Sequence, residues 1–346
     1  SDMPDAAPSE DGKLPSQNES QLESTQNCST TTTNVVPEDV TKNEDSPVNI
    51  ASQDEGKRMV EECMALFADD KVFQASRLER RIAAEFPDLH EENLEKLKKV
   101  STCAEEADRM CADLDGDEGW KCVREAAKEG DVKVWYRPEK DCAIHALRVD
   151  AIADASLEYM LVLINEVTLF KEWLPFIGGS ELLARPSRCE RVAWWKMWSP
   201  AAALVQHRDC CLHGTAIDGL DEDGCVLVLI RGHEEGVHGV EHPELKPRTT
   251  RMEIKYAAVK LIPLPDGRTR VRAVGSVDPK LQVLPAWLIN WIATKVCAVG
   301  MHMWESNAKR VEEGKKDCAH RQRMREDAEF YTWMTNRVQS AVPRQQ

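Results

Sequence analysis

Val277-Asp278-Pro279-Lys280, followed after Leu281 to Val283 by Leu284-Pro285-Ala286-Trp287-Leu288-Ile289-Asn290-Trp291, decides the reading of this chain. An alternating strand leaves through a turn, and a helix begins that is apolar nearly all round. In an acidic chain such a helix must lie against an apolar surface that covers most of its circumference. The segments from about 131 to 278 read as successive strands able to supply that surface. The expected class is therefore α+β, with one curved antiparallel sheet gripping a long C-terminal helix.

Outward from that stretch, strand candidates fall at 190–198, 209–218, 224–232, 251–262 and 269–278, after two earlier ones. Val132, Val134 and Tyr136 alternate with Lys133, Trp135 and Arg137, and the next strand sends His145, Leu147, Val149 and Ala151 one way. Asp221-Glu222-Asp223-Gly224 and Pro265-Asp266-Gly267 mark turns of hairpin length, which favour antiparallel pairing. A helix starts at Asp154 to Glu158 and ends near Trp173-Leu174-Pro175. The 233–250 stretch reads as a long loop.

Before the strands, helices are expected over 56–68, 71–85 and 91–114, the last with Leu94, Leu97, Val100, Cys103, Ala107, Met110 and Leu114 at helical spacing. A short helix is expected over 118–128. Two more close the chain, from about 284 to 312 and from 316 to 338. The first 55 residues hold fourteen Ser or Thr, twelve Asp or Glu and two Lys, and no apolar periodicity. That composition cannot repay the entropy of folding, so this tail reads as disordered.

The formal net charge is −15 over 346 residues, and about ten of those charges sit in the tail. Without a broad cationic surface, nonspecific nucleic-acid binding is excluded as a function. No stretch approaches eighteen uninterrupted apolar residues, so no spanning helix is expected. Twelve cysteines lie scattered without paired metal-ligand spacing, as small reduced hydrophobes do, which points to a cytosolic or organellar reducing compartment. His233, His238 and His242 lie in a loop with Glu234, Glu235 and Glu241, and that loop reads as a solvated surface without metal. No Gly-x-Ser-x-Gly elbow or glycine-rich phosphate cradle is present, and no cofactor is expected.

The order of elements resembles the START (steroidogenic acute regulatory protein-related lipid transfer) domain family over about 118–312. The resemblance rests on Val132-Lys133-Val134-Trp135-Tyr136-Arg137, Lys171-Glu172-Trp173, Arg208-Asp209, Arg251, Asp278-Pro279-Lys280 and the run from Leu284 to Trp291. Leu288-Ile289-Asn290-Trp291 is most similar to the phosphatidylcholine transfer branch. That branch reads Arg-Lys-Gln-Trp-Asp where this chain has Phe170-Lys171-Glu172-Trp173-Leu174, and the first residue of that motif is implicated in holding phosphate. Gly214 stands where the sterol branch carries a buried arginine.

The resemblance implies a helix-grip fold holding one lipid, a phospholipid, a sterol or another single molecule, in an internal tunnel. It also implies a noncatalytic carrier that meets a membrane surface transiently. Four segments are expected: an acidic tail (1–55), a helical extension (56–117), the START-like region (118–312) and a C-terminal helical extension (313–346). The alternative function is a structural or interaction subunit, with the extensions holding a partner in a protein complex. Candidate lipid-contacting residues are His145, Leu147, Trp194, Trp198, His213, Tyr256, Leu288 and Ile292, with Trp194 and Trp198 taken as the inward face of their strand. Arg208 and Asp209 are read as a structural pair at the strand entry, a local ion pair being one arrangement, while the opposite faces of adjacent strand residues leave direct pairing open. The 233–250 loop and the start of the final helix are the expected moving parts.

Overall fold

A computed structural model describes residues 47–128, 131–138, 145–174, 176–199, 205–281, 291–315 and 318–341. Among these residues, ten strands make one sheet. They are β1 (Lys121–Arg124), β2 (Lys133–Pro138), β3 (His145–Ala153), β4 (Ile177–Ala184), β5 (Glu190–Met197), β6 (His207–Gly219), β7 (Cys225–Gly232), β8 (Thr249–Arg251), β9 (Glu253–Pro263) and β10 (Thr269–Asp278). The order across the sheet is β1-β2-β3-β10-β9-β7-β6-β5-β4, with every neighbour on this path antiparallel. The short β8 departs from the expected pattern by pairing with β6 in parallel.

Both faces of the sheet are covered by helix. On one face lie α1 (Pro47–Ala68), α2 (Val72–Glu85), α3 (Pro87–Glu92) and α4 (Leu94–Asp115). Ala104, Ala107, Met110 and Leu114 of α4 pack there on Ile217, Leu227, Leu229, Ala258 and Val274. Charge pairs fasten this layer. Arg137 of β2 grips both carboxylate oxygens of Asp113 at 2.6 and 3.0 Å, and the buried Arg148 of β3 reaches the carbonyls of Leu114 and Gly116. The region expected as a helical extension packs through α4 on this face of the sheet, and Pro47–Gln346 forms one compact unit.

The opposite face is concave towards α5 (Leu157–Asn165), α6 (Phe170–Trp173), α7 (Cys297–Glu312), α8 (Ala319–Glu326) and α9 (Ala328–Ala341). Met160, Val162, Trp304, Ala308, Val311, Tyr331 and Val338 bury themselves there with Ala193, Val226, Leu261 and Val271. The π-helical turn Ile292–Val296 leads into α7, and the indole Nε1 of Trp304 donates to the Met160 carbonyl at 3.1 Å.

The turn after β10 shows why Asp278-Pro279-Lys280 is so informative. The Asp278 carboxylate accepts from the backbone N–H of Lys280, which sits at φ 52° in the left-handed region. Arg208 Nε donates to the Pro279 carbonyl at 2.7 Å, locking the turn to the start of β6. Arg208 is therefore not the ion-pair partner of Asp209. Asp209 pairs with Arg251, because adjacent strand residues point to opposite faces.

Other expectations shift. The segment 118–128 holds strand β1 instead of a helix, and β4 lies between Trp173 and Arg185 where no strand was expected. Helix α1 begins at Pro47, inside the segment expected to be disordered, while residues 1–46 lie outside the described residues. The 91–114 helix divides at Asn93, whose side-chain amide donates to the Leu89 carbonyl, and the 316–338 helix divides at Asp327. The start of the final helix, with Leu284, Trp287 and Leu288, lies outside the described residues.

Candidate lipid-binding cavity

Between the concave sheet and the helices lies a cavity of about 360 Å³. Its floor is one alternation of three strands: Ala193 and Trp195 on β5, Gly214 and Ala216 on β6, Val226 and Val228 on β7. Its roof is Leu161 and Ile164 of α5, Trp304 of α7, and Phe330, Trp333 and Met334 of α9. The wall is almost wholly apolar because period two on each strand and period 3.6 on each helix point their apolar stripes at one space.

Aromatic rings shape one side. Phe170 meets Trp195 edge-on at 5.0 Å between centroids and Trp173 at 5.7 Å, and Trp173 lies 6.2 Å from Trp304. Such edge contacts add about 0.5–1.5 kcal/mol each beyond the area they bury. A few polar groups gather at another side. Arg191 Nη2 donates to Asn165 Oδ1 at 2.7 Å, and the Asn165 amide donates to Tyr331 Oη at 2.8 Å. Tyr331 in turn donates to the buried carboxylate of Glu166. Burial, with the Glu166 charge beside it, pushes the Tyr331 phenol well above its usual range, so it stays a donor. Asp218 and Asp70, also on the wall, are matched by Arg337 and Arg188.

No family model and no curated protein matches the chain. Solved structures do. Human StAR-related lipid transfer protein 5 aligns with a TM-score of 0.52 at 19% identity, over 61% of this chain and 97% of that one. The chain has the START fold. Human STARD10 aligns with a TM-score of 0.50 at 14% identity, over 66% of this chain and 84% of that one.

Within this START fold the cavity wall uses the alternation opposite to the expected one. Trp194 faces the other way, where its indole donates to Asp209 Oδ2 at 2.9 Å. Trp198 is 50% exposed and stacks edge-on to His207 at 4.6 Å. Tyr256 packs beside α4, its hydroxyl within 3.0 Å of Arg137 and 3.3 Å of Asp113. None of the three lines the cavity. Leu147 packs with Val132, Val134 and Met301 in a smaller cluster towards β2, and Ile292 sits in the π-helical turn; neither is on the wall. His145 opens β3 opposite Pro138 and Val277, and Leu288 lies outside the described residues.

His213 also turns away from the cavity. Its Nε2 lies 3.0 Å from Glu190, and its Nδ1 lies 3.2 Å from Arg231 Nη2. The loop expected as solvated folds back here, burying His233 and bringing His238 to 5.0 Å from the His213 ring. Glu190, His213 and His238 could together face one cation. Arg231 can only donate, so His213 Nδ1 must accept and Nε2 must carry the proton offered to Glu190. That tautomer makes a hydrogen-bonded pair rather than a metal ligand. No residue of 233–250 reaches the cavity wall, so the expected moving loop lies elsewhere.

Sequence reasoning missed Arg191, Trp195 and the whole contribution of α9. Arg191, Ala193 and Trp195 share one alternation, so the signal was present, but nothing in a strand covered on both faces says which side is inward. Phe170 was singled out for lacking a charge, and it lies in the apolar wall.

Proposed function

We propose that this chain is a noncatalytic lipid carrier that holds one lipid in the cavity and moves it between membranes. The observation that supports the reading is the cavity itself, an apolar space of about 360 Å³ lined, among the described residues, by the sheet and four helices of a START fold. Burying an apolar tail there gains about 25 cal/mol per Å² and needs no bond-making residues. The name of lipid transfer protein 5 states such an activity for that protein and agrees with this one.

Exchange needs an opening. Helix α9 is the natural moving part, since its Phe330, Trp333 and Met334 roof the cavity. A reducing compartment, cytosolic or organellar, suits the free cysteines, of which Cys63, Cys210, Cys211 and Cys225 are buried. No described helix is long and apolar enough to cross a membrane. The rival reading, an interaction subunit, draws less support than the sequence suggested, because the helical extensions spend their apolar residues on this sheet and on one another.

Native mass spectrometry of the purified protein, followed by lipid extraction, tests the proposal together with transfer of a fluorescent lipid between vesicles. A stoichiometric lipid and protein-dependent transfer are expected. A repeatedly empty protein that accelerates no transfer would favour the interaction subunit.

A further inference from the structure

We infer that the cavity takes an anionic amphiphile, a carboxylate or phosphate head on an apolar tail, with Arg191 receiving the head. The inference rests on the lipid-binding reading above and narrows it to a ligand class. Three groups on wall residues are buried without a hydrogen-bond partner: Arg191 Nε, Trp173 Nε1 and Trp195 Nε1. All three are N–H donors. Among the described residues no side-chain acceptor of the wall is buried and unpartnered. An unpaired buried donor costs about 1–3 kcal/mol, so a guest that brings acceptors to this wall gains what the empty cavity forgoes.

Arg191 sets the sign of the charge. Its side chain is 8% exposed, and a guanidinium keeps its proton even there. Nη1 donates to the carbonyls of Arg188 and Glu190 at 2.9 and 2.8 Å, and Nη2 donates to the Asn165 amide oxygen. Every one of these partners is a neutral dipole. The carboxylates on the wall are engaged with other arginines, Asp70 with Arg188 and Asp218 with Arg337. Glu166 stands one link further off, behind Asn165 and Tyr331.

There is also room. Gly214 lies directly across the strand pair from Arg191, and a Cβ there would meet nothing nearer than 3.9 Å. The contacts through Nη1 clamp the turn before β5, a structural task that leaves Nε unused. A volume of about 360 Å³ is near the lower end of the range of about 300–1,000 Å³ for small-molecule sites, which favours one tail over two.

The test displaces a neutral fluorescent dye from the full chain with three ligands sharing one tail: tetradecanoate, tetradecyl phosphate and tetradecanol. At least one anion should bind roughly tenfold more tightly than the alcohol, the order expected when a hydrogen bond becomes charge-assisted. The tighter anion tells a carboxylate source from a phosphate source. Arg191→Gln should erase that preference while the alcohol still binds, and Arg191→Lys should keep part of it. Melting temperatures are read alongside, because the variants loosen the turn before β5. If Arg191→Gln does not fold, Trp195→Phe, which keeps a ring and removes a donor, should weaken anion binding. Equal binding of all three ligands to the wild-type protein overturns the inference and leaves the carrier reading standing. Failure of every ligand to displace the dye overturns both.

Discussion

Asp209 and Arg251 face each other across the parallel β6–β8 pair, with the guanidinium Nε and Nη2 at 3.2 and 2.8 Å from the two carboxylate oxygens. Asp209 is 1% exposed and also accepts from the Trp194 indole. A buried carboxylate so placed is what holds the odd parallel strand to an otherwise antiparallel sheet. Replacing Asp209 by Ala strands the arginine and the indole together, and should cost about 3–5 kcal/mol, read from urea unfolding. Loss of under about 1 kcal/mol would put the pair in the class of weak surface bridges.

Ala216 and Ala258 test which face holds the ligand. Ala216 is on the cavity wall, and Ala258 is buried on the other face against α4. Ala216→Leu should reduce bound lipid while leaving the urea midpoint near the wild-type value. Ala258→Leu overpacks a filled core and should cost about 1–3 kcal/mol with lipid uptake per folded molecule preserved. The opposite pattern would move the site to the α4 face.

Stability should fall in mild acid because of His320. Burial, helped by the Arg310 charge, holds this imidazole down at about 4, and its Nε2 has no partner. The unfolded chain binds the proton at about 6.5 and the folded chain does not. The contribution is complete above pH 6.5 and is lost as pH falls towards 4, amounting to about 3 kcal/mol over that window. Denaturation between pH 7 and 4 should therefore show this slope, and His320→Gln should flatten it. A variant with an unchanged slope would assign the acid sensitivity to other groups.

Tyr331 joins α9 to the end of α5 by donating to Glu166 and accepting from Asn165. Removing its hydroxyl leaves a buried carboxylate short of one donor. Tyr331→Phe should cost about 1.5–3 kcal/mol, the range for hydrogen bonds to charged groups. It should also speed lipid release from preloaded protein, measured by dilution into acceptor vesicles. Unchanged release with lowered stability would separate α9 from the route of exchange.

The frame was legible because its signals are local. Alternation in 190–198 and 269–278, turn residues at Asp266-Gly267 and the strand-to-helix motif at Asp278-Pro279-Lys280 each act within a few residues. β1 was misread because Lys121–Arg124 is too short for a period to declare itself. The site was less legible for a different reason. Trp194 and Trp195 stand on opposite faces of β5, and each face also carries charge, Glu190 and Lys196 with Trp194 and Arg191 with Trp195, so polarity does not mark either alternation as outward. The role of α9 depends on contacts with residues more than a hundred positions away, such as Tyr331 with Asn165, and no spacing records those.

Because Phe330, Trp333 and Met334 complete the roof over Leu161 and Ile164, a guest in the cavity touches two helices at once and acts as a mortar between them. Peeling α9 away must then break guest contacts as well as protein ones. The helix tightens with occupancy by RT ln(1 + [L]/Kd), about 2.7 kcal/mol at a hundredfold excess over Kd. Linkage is reciprocal, so whatever lifts α9 from the sheet, a bilayer surface included, weakens the grip on the guest by the same factor. Under the proposed carrier function, amide exchange along 328–341 would gauge occupancy: slow with a lipid bound, fast without one.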